Sequence, residues 1–291
     1  MNKKTIKVIN RVLRRFGLRL EKEKSGVIFK SKHVHDPQYS YLLDPDLQDK
    51  LNLELSKLAD DFFTRHFTDL PNLHISSPDR IRKFIQTWGG REFFENTGGS
   101  GFHNAFWLYL FTSALNPALI IESGVWKGHT TWLLKQAAPE AEIHGFDISL
   151  KRLEFNHPEV SFHERDWNGH QFESVEAERS LVFFDCHVNH AQRIIEASQK
   201  GFKHLVFDDN PPLHKIYSYG QPGFPTAHML WERDLPSEEV QWLWKGKPHQ
   251  ARIDPDQAER ALKLIKRHLV FPDVGGPTRY GGFSFLTYIE I

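Results

Sequence analysis

The chain has 291 residues, with 37 acidic and 37 basic side chains, so its formal net charge at pH 7 is zero. Because no overall positive charge would attract a phosphate backbone, a nucleic-acid partner is not expected. The single cysteine, Cys186, excludes an internal disulfide and any multi-cysteine zinc site, and it fits a reducing compartment. The sequence has neither an apolar run of membrane-spanning length nor the apolar core of a signal peptide, so a cytoplasmic location is expected.

The first hundred residues divide into a basic segment and an accessory region. Residues 1–24 predict an amphipathic helix, because apolar residues recur at helical spacing among lysines and arginines. Such a helix either contacts a membrane surface or an acidic partner, or packs on its own domain with the basic face in solvent, which is the commoner case. Residues 25–100 predict a short strand, two helices and a glycine-rich loop, placed at 27–30, 44–67, 78–88 and 96–101.

The main domain is predicted to span 101–291, where helical and strand-like segments alternate. This alternation predicts an α/β fold with a doubly wound, mostly parallel sheet and helices on both faces. An insertion at 211–254 is rich in Pro, Trp, Tyr and His and has no clear periodicity. The predicted helices are 102–115, 129–137, 149–156, 189–200 and 256–269, and the predicted strands are 118–123, 141–147, 160–164, 180–184, 204–207, 270–271 and 283–289.

A strand, a glycine turn and a helix form the most informative part of the sequence. The apolar segment from Ala118 ends in Glu122, Gly124 and Gly128 follow, and a second strand ends in Asp147. In doubly wound folds, this unit holds a nucleoside-containing cofactor beyond the carboxyl ends of the strands. Asp147 is placed to accept hydrogen bonds from both ribose hydroxyls.

The glycines and the helix start have predictable roles in such a unit. A side chain at Gly124 or Gly128 is expected to block the close approach of the backbone to a ligand. The start of the helix at residues 129–131, which includes Thr130, points free N–H groups toward the ligand. The glycine loop at 96–101 precedes this strand, and it either covers the site or is only a connector.

The spacing Glu-x-Gly-x-x-x-Gly differs from the dinucleotide fingerprint and from a phosphate-binding loop. It resembles motif I of class I methyltransferases that depend on S-adenosylmethionine (SAM), especially the macrocin-type sugar O-methyltransferases and, more loosely, the catechol type. The resemblance implies a Rossmann-like methyltransferase fold with a C-terminal antiparallel hairpin and, here, a helical N-terminal extension. It implies SAM as cofactor, bound by residues at or near the first three strand ends: Glu122, Gly124, Trp126, Gly128, Thr130, Asp147, Asp166 and Trp167. For Trp126 and Trp167, packing is an equally good explanation.

A second group of polar residues follows the fourth and fifth strands. Asp185 ends one strand, and Asp208, Asp209 and Asn210 end the next. Because adjacent strand ends lie close together, these carboxylates repel one another unless a cation separates them, and Mg²⁺ fits such oxygen ligands. In the resembled enzymes such acids hold Mg²⁺, which implies Asp185 with Asp208 or Asp209 as ligands and Asn210 as a further candidate. The alternative is that these acids cap helices or bind one another, and the sequence does not rank Asp208 against Asp209.

The general base is less well defined. The resembled enzymes place a Lys or His three residues after the first metal-binding Asp, where this chain has Val188. His187 and His190 flank that position, and histidine titrates near neutral pH. The predicted catalytic residues are therefore His187, Asp185 and His190, although a single histidine is more often structural.

The predicted function is a metal-assisted, SAM-dependent O-methyltransferase that acts on a hydroxyl of a small molecule, a sugar or a glycan. The alternative is a non-catalytic module that keeps the fold as a scaffold, for which Val188 is the best support. A different metal enzyme on the same acids would leave the ribose-binding position of Asp147 unexplained. A homo-oligomer and peripheral membrane contact through the first helix are both compatible with the sequence.

Overall fold

A computed structural model describes residues 18–23, 26–31, 45–68, 78–91, 99–219, 222–236, 239–278 and 283–291. The helices are Pro45–His66 (α1), Pro78–Gly89 (α2), Phe102–Leu115 (α3), His129–Ala137 (α4), His190–Gln199 (α5), Ala227–Glu232 (α6), Pro255–Leu264 (α7) and Gly275–Thr278 (α8). The strands are Leu18–Glu23 (β1), Gly26–Ser31 (β2), Leu119–Ser123 (β3), Glu142–Asp147 (β4), Val160–Glu164 (β5), Ser180–Phe184 (β6), His204–Phe207 (β7), Val240–Trp244 (β8), Lys247–Ala251 (β9), Arg267–Val270 (β10) and Thr287–Glu290 (β11).

Seven strands form the central sheet in the order β10-β11-β7-β6-β3-β4-β5. The five strands β3 to β7 are parallel to one another, β11 is antiparallel to β7, and β10 is antiparallel to β11. Strand order reverses at β3, whose neighbours are β4 and β6, and ligands of such sheets bind at this switch point. The predicted α/β class, the parallel sheet and the closing antiparallel pair are confirmed.

Each face of the sheet is covered by helices, because successive side chains of a buried parallel strand point to opposite faces. On one face, Ile120 belongs to a core shared with α1, α2, α3 and α4. On the other face, Ile121 belongs to a core shared with α5, α6 and α7. The strands are therefore mostly apolar, and every residue of β3, β6 and β7 is buried.

Helix α3 lies inside the protein, and nearly all of its side chains are buried. It packs against α4 and contributes Phe106, Trp107 and Phe111 to the core of the first face. A helix that is apolar on all sides is typical of such a central position. Its two buried polar side chains near the start, His103 and Asn104, are therefore exceptions, and Asn104 reaches the site described below.

The prediction for the N-terminal segment is wrong where the structure describes it. Leu18–Glu23 form a strand that pairs with Gly26–Ser31 in an antiparallel hairpin, so the predicted helix over 1–24 does not include 18–23. Alternating residues such as Leu18 and Leu20 satisfy a strand period as well as a helical one. Residues 1–17 lie outside the described residues, and peripheral membrane contact through them stays a prediction.

Two predicted helices are shorter in the structure. The segment 149–156 contains only a single 3₁₀ turn, Leu150–Arg152, because the N–H groups of Glu154 and Phe155 donate to the carbonyl of Lys127 rather than to a helix. Helix α7 ends at Leu264, since the next residues form β10 on the sheet edge. The C-terminal pair is consequently 267–270 with 287–290, not 270–271 with 283–289.

The insertion 211–254 has more structure than its sequence predicts. A 3₁₀ turn at Leu213–Ser218 precedes α6, and β8 and β9 form a separate antiparallel hairpin. A small apolar cluster that includes Ile216, Met229 and Trp242 joins these pieces. No helix of the described residues has both the length and the apolar character needed to cross a membrane.

Candidate active site

A cavity of about 780 Å³ opens at the carboxyl ends of the central strands. Its size is that of a small-molecule or cofactor site. The turns after β3, β4, β6 and β7 and the start of α3 form its wall, which includes Gly124, Asp147, Asp185, Asp209 and Asn104. The sheet thus brings together residues that are far apart in the sequence, as expected for the carboxyl ends of parallel strands.

The turn after β3 is held by the carboxylate of Asp147 at the end of β4. One oxygen, Oδ2, accepts hydrogen bonds from the backbone N–H of Val125 at 3.0 Å and of Trp126 at 2.9 Å. The other, Oδ1, accepts one from the N–H of Ser149 at 3.0 Å. Asp147 therefore fixes the turn and also faces the cavity.

The two glycines of the turn are required by different neighbours. A Cβ on Gly124 would lie 2.4 Å from the carbonyl oxygen of Asp185, and a Cβ on Gly128 would lie 2.8 Å from Cβ of Phe155. Both have positive φ, 101° and 83°. Only Gly124 lines the cavity, so Gly128 allows close packing between chain segments and does not itself approach a ligand.

Glu122 does not line the cavity, unlike the prediction that it binds cofactor. Its side chain is fully buried in β3 and accepts a hydrogen bond from the hydroxyl of Thr131. Its pKa is raised to about 8, chiefly by burial; the hydrogen bond from Thr131 acts in the opposite direction, and the charge of Asp147 adds to the rise. Glu122 is therefore protonated near neutral pH, and it links β3 to α4 through the hydroxyl of Thr131.

Beyond β5, the structure separates Asp166 and Trp167, which are two of the residues predicted to bind the cofactor. Asp166 lines the cavity, whereas Trp167 is fully buried and donates its indole N–H to Glu196 at 3.1 Å. The burial of Trp167 and its hydrogen bond to Glu196 favour the packing interpretation of this residue. Trp126 lines the cavity, so a cofactor contact remains open to it.

Arg193 of α5 was missed by the sequence analysis. Its guanidinium is buried and forms two hydrogen bonds to Asp166, at 2.5 and 3.1 Å, and one to Glu196 at 2.7 Å. Burial is the largest single influence and raises the pKa of Asp166, but the hydrogen bonds from Arg193 and from the N–H of Asn168, together with the charges of Arg193 and Lys200, lower the pKa overall. The sequence signal that could have identified Arg193 is a basic residue on the buried face of a predicted helix, because a buried cation requires acidic partners nearby.

The three aspartates after β6 and β7 crowd one side of the cavity. Burial, followed by the charges of Asp208 and Asp209, raises the pKa of Asp185 well above its usual range. Burial and then the charge of Asp208 raise the pKa of Asp209 to about 7. Such mutual repulsion makes this side of the cavity favourable for a cation.

Asp208 and Asp209 have different surroundings. Asp208 accepts hydrogen bonds from the amide of Asn104 at 2.7 Å and from the hydroxyl of Ser284 at 2.5 Å, so protein donors hold it. Asp209 has a partly exposed side chain that lies near His187. Carboxylate oxygens of Asp185 and Asp209 and a ring nitrogen of His187 all lie within 4.8 Å of one another.

Two predicted residues face away from the cavity. The amide of Asn210 is fully buried, donates to the hydroxyl of Thr287 and accepts from the N–H of His228, so its carbonyl is already used inside the protein. His190 is buried, accepts from the N–H of Ala227 at 3.1 Å, and has its pKa lowered to about 3 chiefly by burial. A metal role for Asn210 and a base role for His190 are therefore not supported.

His187 is the histidine that faces the site. It lines the cavity with a largely exposed side chain, and its Nδ1 lies 3.8 Å from Oδ2 of Asp209. Val188 lines the same cavity, so the position that carries a basic residue in the resembled enzymes is apolar here. His187 can accept a proton from a ligand in the cavity, with Asp209 beside it.

The glycine loop before α3 borders the cavity where the structure describes it. Gly99, Ser100 and Gly101 form part of the wall, and the hydroxyl of Ser100 lies 3.3 Å from that of Thr130 in α4. Thr130 thus contacts the wall from outside and is not itself part of it. Residues 96–98 of the predicted loop lie outside the described residues.

The chain was compared with protein families, curated proteins and solved structures. No family model and no curated protein matches it. Solved structures similar to it include CmcI with Mg and SAM (14% identity, 63% of this chain and 68% of that one, TM-score 0.36). Another is human N-acetylserotonin methyltransferase with SAM (10% identity, 98% of this chain and 82% of that one, TM-score 0.43). A third is the SAH-bound methyltransferase PaMTH1 of Podospora anserina (14% identity, 72% of this chain and 86% of that one, TM-score 0.40).

The chain has a doubly wound α/β fold whose parallel sheet is closed by an antiparallel pair of strands. These likenesses concern the fold, and the ligands named are those of the similar proteins. Within this fold the cavity lies at the switch point of the sheet, between the Asp147 turn and the aspartate cluster. The chemistry of the chain therefore depends on the residues of that cavity.

Proposed function

We propose that the chain is a SAM-dependent O-methyltransferase whose acceptor is a hydroxyl of a small molecule, a sugar or a glycan. One observation carries the proposal: a single cavity joins the Asp147-glycine turn, which suits a nucleoside, to a cluster of carboxylates and one histidine, which suits an ionising hydroxyl. A methyl donor and an acceptor have to meet in such a shared space.

The cofactor is proposed to lie along the turn after β3. Asp147 faces the cavity with its carboxylate and would accept hydrogen bonds from ribose hydroxyls, while keeping its bonds to Val125 and Trp126. Asp166, which Arg193 holds in place, and Trp126 are the further candidates for contact with the nucleoside.

A divalent cation is proposed at Asp185 and Asp209, with His187 beside them. Carboxylate oxygens suit Mg²⁺, and the raised pKa of both acids reflects how unfavourable their charges are without a cation. When bound there, the cation would lower the pKa of an acceptor hydroxyl and orient its oxygen. Asp208 is proposed as a positioning residue, because Asn104 and Ser284 already use its oxygens.

His187 is proposed as the general base. It would take the proton of the acceptor hydroxyl, and Asp209 would stabilise the resulting imidazolium. The acceptor oxygen would then bond to the methyl carbon that SAM supplies, while the bond between that carbon and sulfur would break. The products are the methyl ether and S-adenosylhomocysteine (SAH).

The first test is calorimetric titration of the full chain with SAH. Micromolar binding is expected for the unchanged protein, and Asp147→Ala should weaken it about 10- to 100-fold, or roughly 1.4–2.7 kcal/mol, because a charged acceptor and the order of the turn are lost. The exposed Asp256→Ala serves as the control and should bind like the unchanged protein. No binding by the unchanged protein would reject the methyltransferase proposal.

Turnover is tested separately with SAM carrying a labelled methyl group and panels of sugars and catechols. Transfer that requires Mg²⁺ and is lost in His187→Gln supports the full proposal. Tight SAH binding without any transfer to these acceptors would favour the non-catalytic module instead. The apolar Val188 in the cavity wall is the observation that supports this alternative.

A further inference from the structure

Three histidines lie together outside the cavity, at the edge of the sheet. His144 is in β4, His163 is in the adjacent strand β5, and His170 is in the segment that follows β5. One ring nitrogen of each lies within 4.8 Å of those of the other two. This histidine cluster is distinct from the group of Asp185, His187 and Asp209.

The nitrogen positions are close to those of a metal site. Nδ1 of His144 lies 3.1 Å from Nε2 of His163, and the rings of His163 and His170 are 4.8 Å apart between centroids. A tetrahedral Zn²⁺ with bonds of about 2.0–2.1 Å places its ligand nitrogens roughly 3.4 Å apart. The pair from His144 and His163 nearly has this spacing, and a small movement of His170 would complete it.

Glu142 provides the outer support that metal-binding histidines usually have. Its carboxylate oxygen lies 2.7 Å from Nε2 of His144, which leaves Nδ1 of that ring to face the cluster. A carboxylate in this position orients the ring and makes the opposite nitrogen a better ligand. An opening of about 330 Å³, bordered by Glu142, His144 and His170, gives access from solvent.

Two of the three rings have lowered pKa values. Burial, followed by the charges of His144, His170 and Arg165, lowers the pKa of His163 to about 4, and burial also lowers the pKa of His170. A neutral imidazole has a lone pair available for a metal.

Arg165 forms a hydrogen bond to one of these lone pairs. Its guanidinium lies 2.6 Å from Nδ1 of His170 and donates to it, and the side chain is exposed. A cation held here competes with a metal ion both for the nitrogen and through its charge. Because the side chain is long and exposed, it can turn into solvent when a metal binds.

We propose that His144, His163 and His170 form a binding site for a first-row transition-metal ion such as Zn²⁺, with Arg165 as the competing cation. Imidazole nitrogens select Zn²⁺ and its neighbours, whereas the carboxylates of Asp185 and Asp209 select Mg²⁺. The site joins β4, β5 and the 165–170 segment. The ring of His163 stacks on Phe146 at 4.5 Å, and Phe146 lines the cavity, so the ion would stiffen one cavity wall.

The test is titration of the metal-free full chain with Zn²⁺, and with Co²⁺ for its visible ligand-field absorption. The parent protein for this test is His187→Gln, and every further variant is made in it. The group of Asp185 and Asp209 then has no imidazole with which to bind Zn²⁺. We expect binding of one ion, weakened at least about tenfold in His170→Gln and in His163→Gln, because each removes a ligand. The exposed His214→Gln is the control and should bind like its parent, as should a variant of His33 and His35, which lie outside the described residues.

Arg165→Gln is expected to have the opposite effect on Zn²⁺ affinity from the histidine variants. Removal of the competing guanidinium should strengthen Zn²⁺ binding severalfold, while all three rings remain. Thermal unfolding provides a second readout: Zn²⁺ should raise the unfolding midpoint of the parent, raise it further in Arg165→Gln, and raise it less in His170→Gln. Binding that is equal in the parent, His163→Gln and His170→Gln, or no binding at all, would overturn the proposal.

Discussion

Three residues other than glycine have left-handed backbone conformations where neighbouring strands end. They are Trp126 after β3, His187 after β6 and Asp209 after β7, with φ of 49°, 52° and 46°. Such conformations are unfavourable for residues with a Cβ and persist where the surrounding structure imposes them, most often at functional sites. All three line the cavity, which is independent support for the proposed active site.

At the residue scale, Asp209 gives a prediction that depends on pH. Its pKa rises from 3.8 to about 7 on folding, chiefly through burial, so its ionisation destabilises the metal-free protein. The penalty starts above about pH 4, grows to about pH 7 and is constant beyond. Asp209→Asn should therefore add little stability near pH 4 and about 1–3 kcal/mol at pH 8.

Urea unfolding in the presence of a chelator measures this difference across pH. Asparagine tolerates the left-handed backbone, so the change does not add strain. Asp256→Asn, at an exposed position, should show no such pH dependence. Mg²⁺ should stabilise the unchanged protein more than Asp209→Asn. A stability gain that is the same at every pH would contradict ionisation of the buried Asp209 carboxyl as its cause.

At the scale of elements, Arg193 connects α5 to the segment after β5. It pairs with Asp166 from that segment and with Glu196 of its own helix, and its side chain is 1% exposed. Arg193→Met would leave the buried carboxylate of Glu196 and the partly exposed carboxylate of Asp166 without their cation. The expected loss is about 3–5 kcal/mol of unfolding free energy, measured by urea denaturation.

The matched control for Arg193 is Arg179→Met. Arg179 pairs with Glu176 at 3.6 Å, and both side chains are more than half exposed. A surface pair of this kind contributes about 0–1 kcal/mol. Equal losses in the two variants would show that burial of the Arg193 pair does not have the effect assigned to it.

At the scale of the whole molecule, the first helices belong to the same core as the sheet. Phe62 of α1 lies 5.4 Å from Trp107 of α3 and 5.4 Å from Phe271, between ring centroids. Phe84 of α2 joins the same cluster through Phe102 and Phe106. The predicted boundary near residue 100 therefore crosses a continuous apolar core.

Phe62→Ala tests this continuity. Phe62 is 6% exposed, and its loss should reduce the unfolding free energy of the whole protein by about 3–5 kcal/mol in one transition. Leu53→Ala, in the same helix but 53% exposed, should change it by less than about 1 kcal/mol. Loss of α1 structure in a separate early transition, with SAH binding and sheet unfolding unchanged, would indicate two independent units.

The sequence by itself determined the parallel sheet, the glycine turn and the acids at the strand ends, because these follow from local pattern and from the rule that parallel strands end at one edge. The tertiary structure decided which side chains reach the cavity. It separated Asp209 from the buried Asn210, His187 from the buried His190, and Asp166 from the core residue Trp167. Neighbouring residues at a strand end point in different directions, so a one-residue difference decides between site and core.

Only the folded chain could reveal partners that are distant in sequence. Asn104 and Ser284 meet at Asp208, Arg193 meets Asp166, and the three histidines meet at the sheet edge. Asn104, Ser284, Arg193 and the three histidines belong to no local motif, because each is brought to its partner by the packing of helices and strands. The sequence thus specifies the elements and the edge at which the site lies, while packing specifies the contacts from which its chemistry is built.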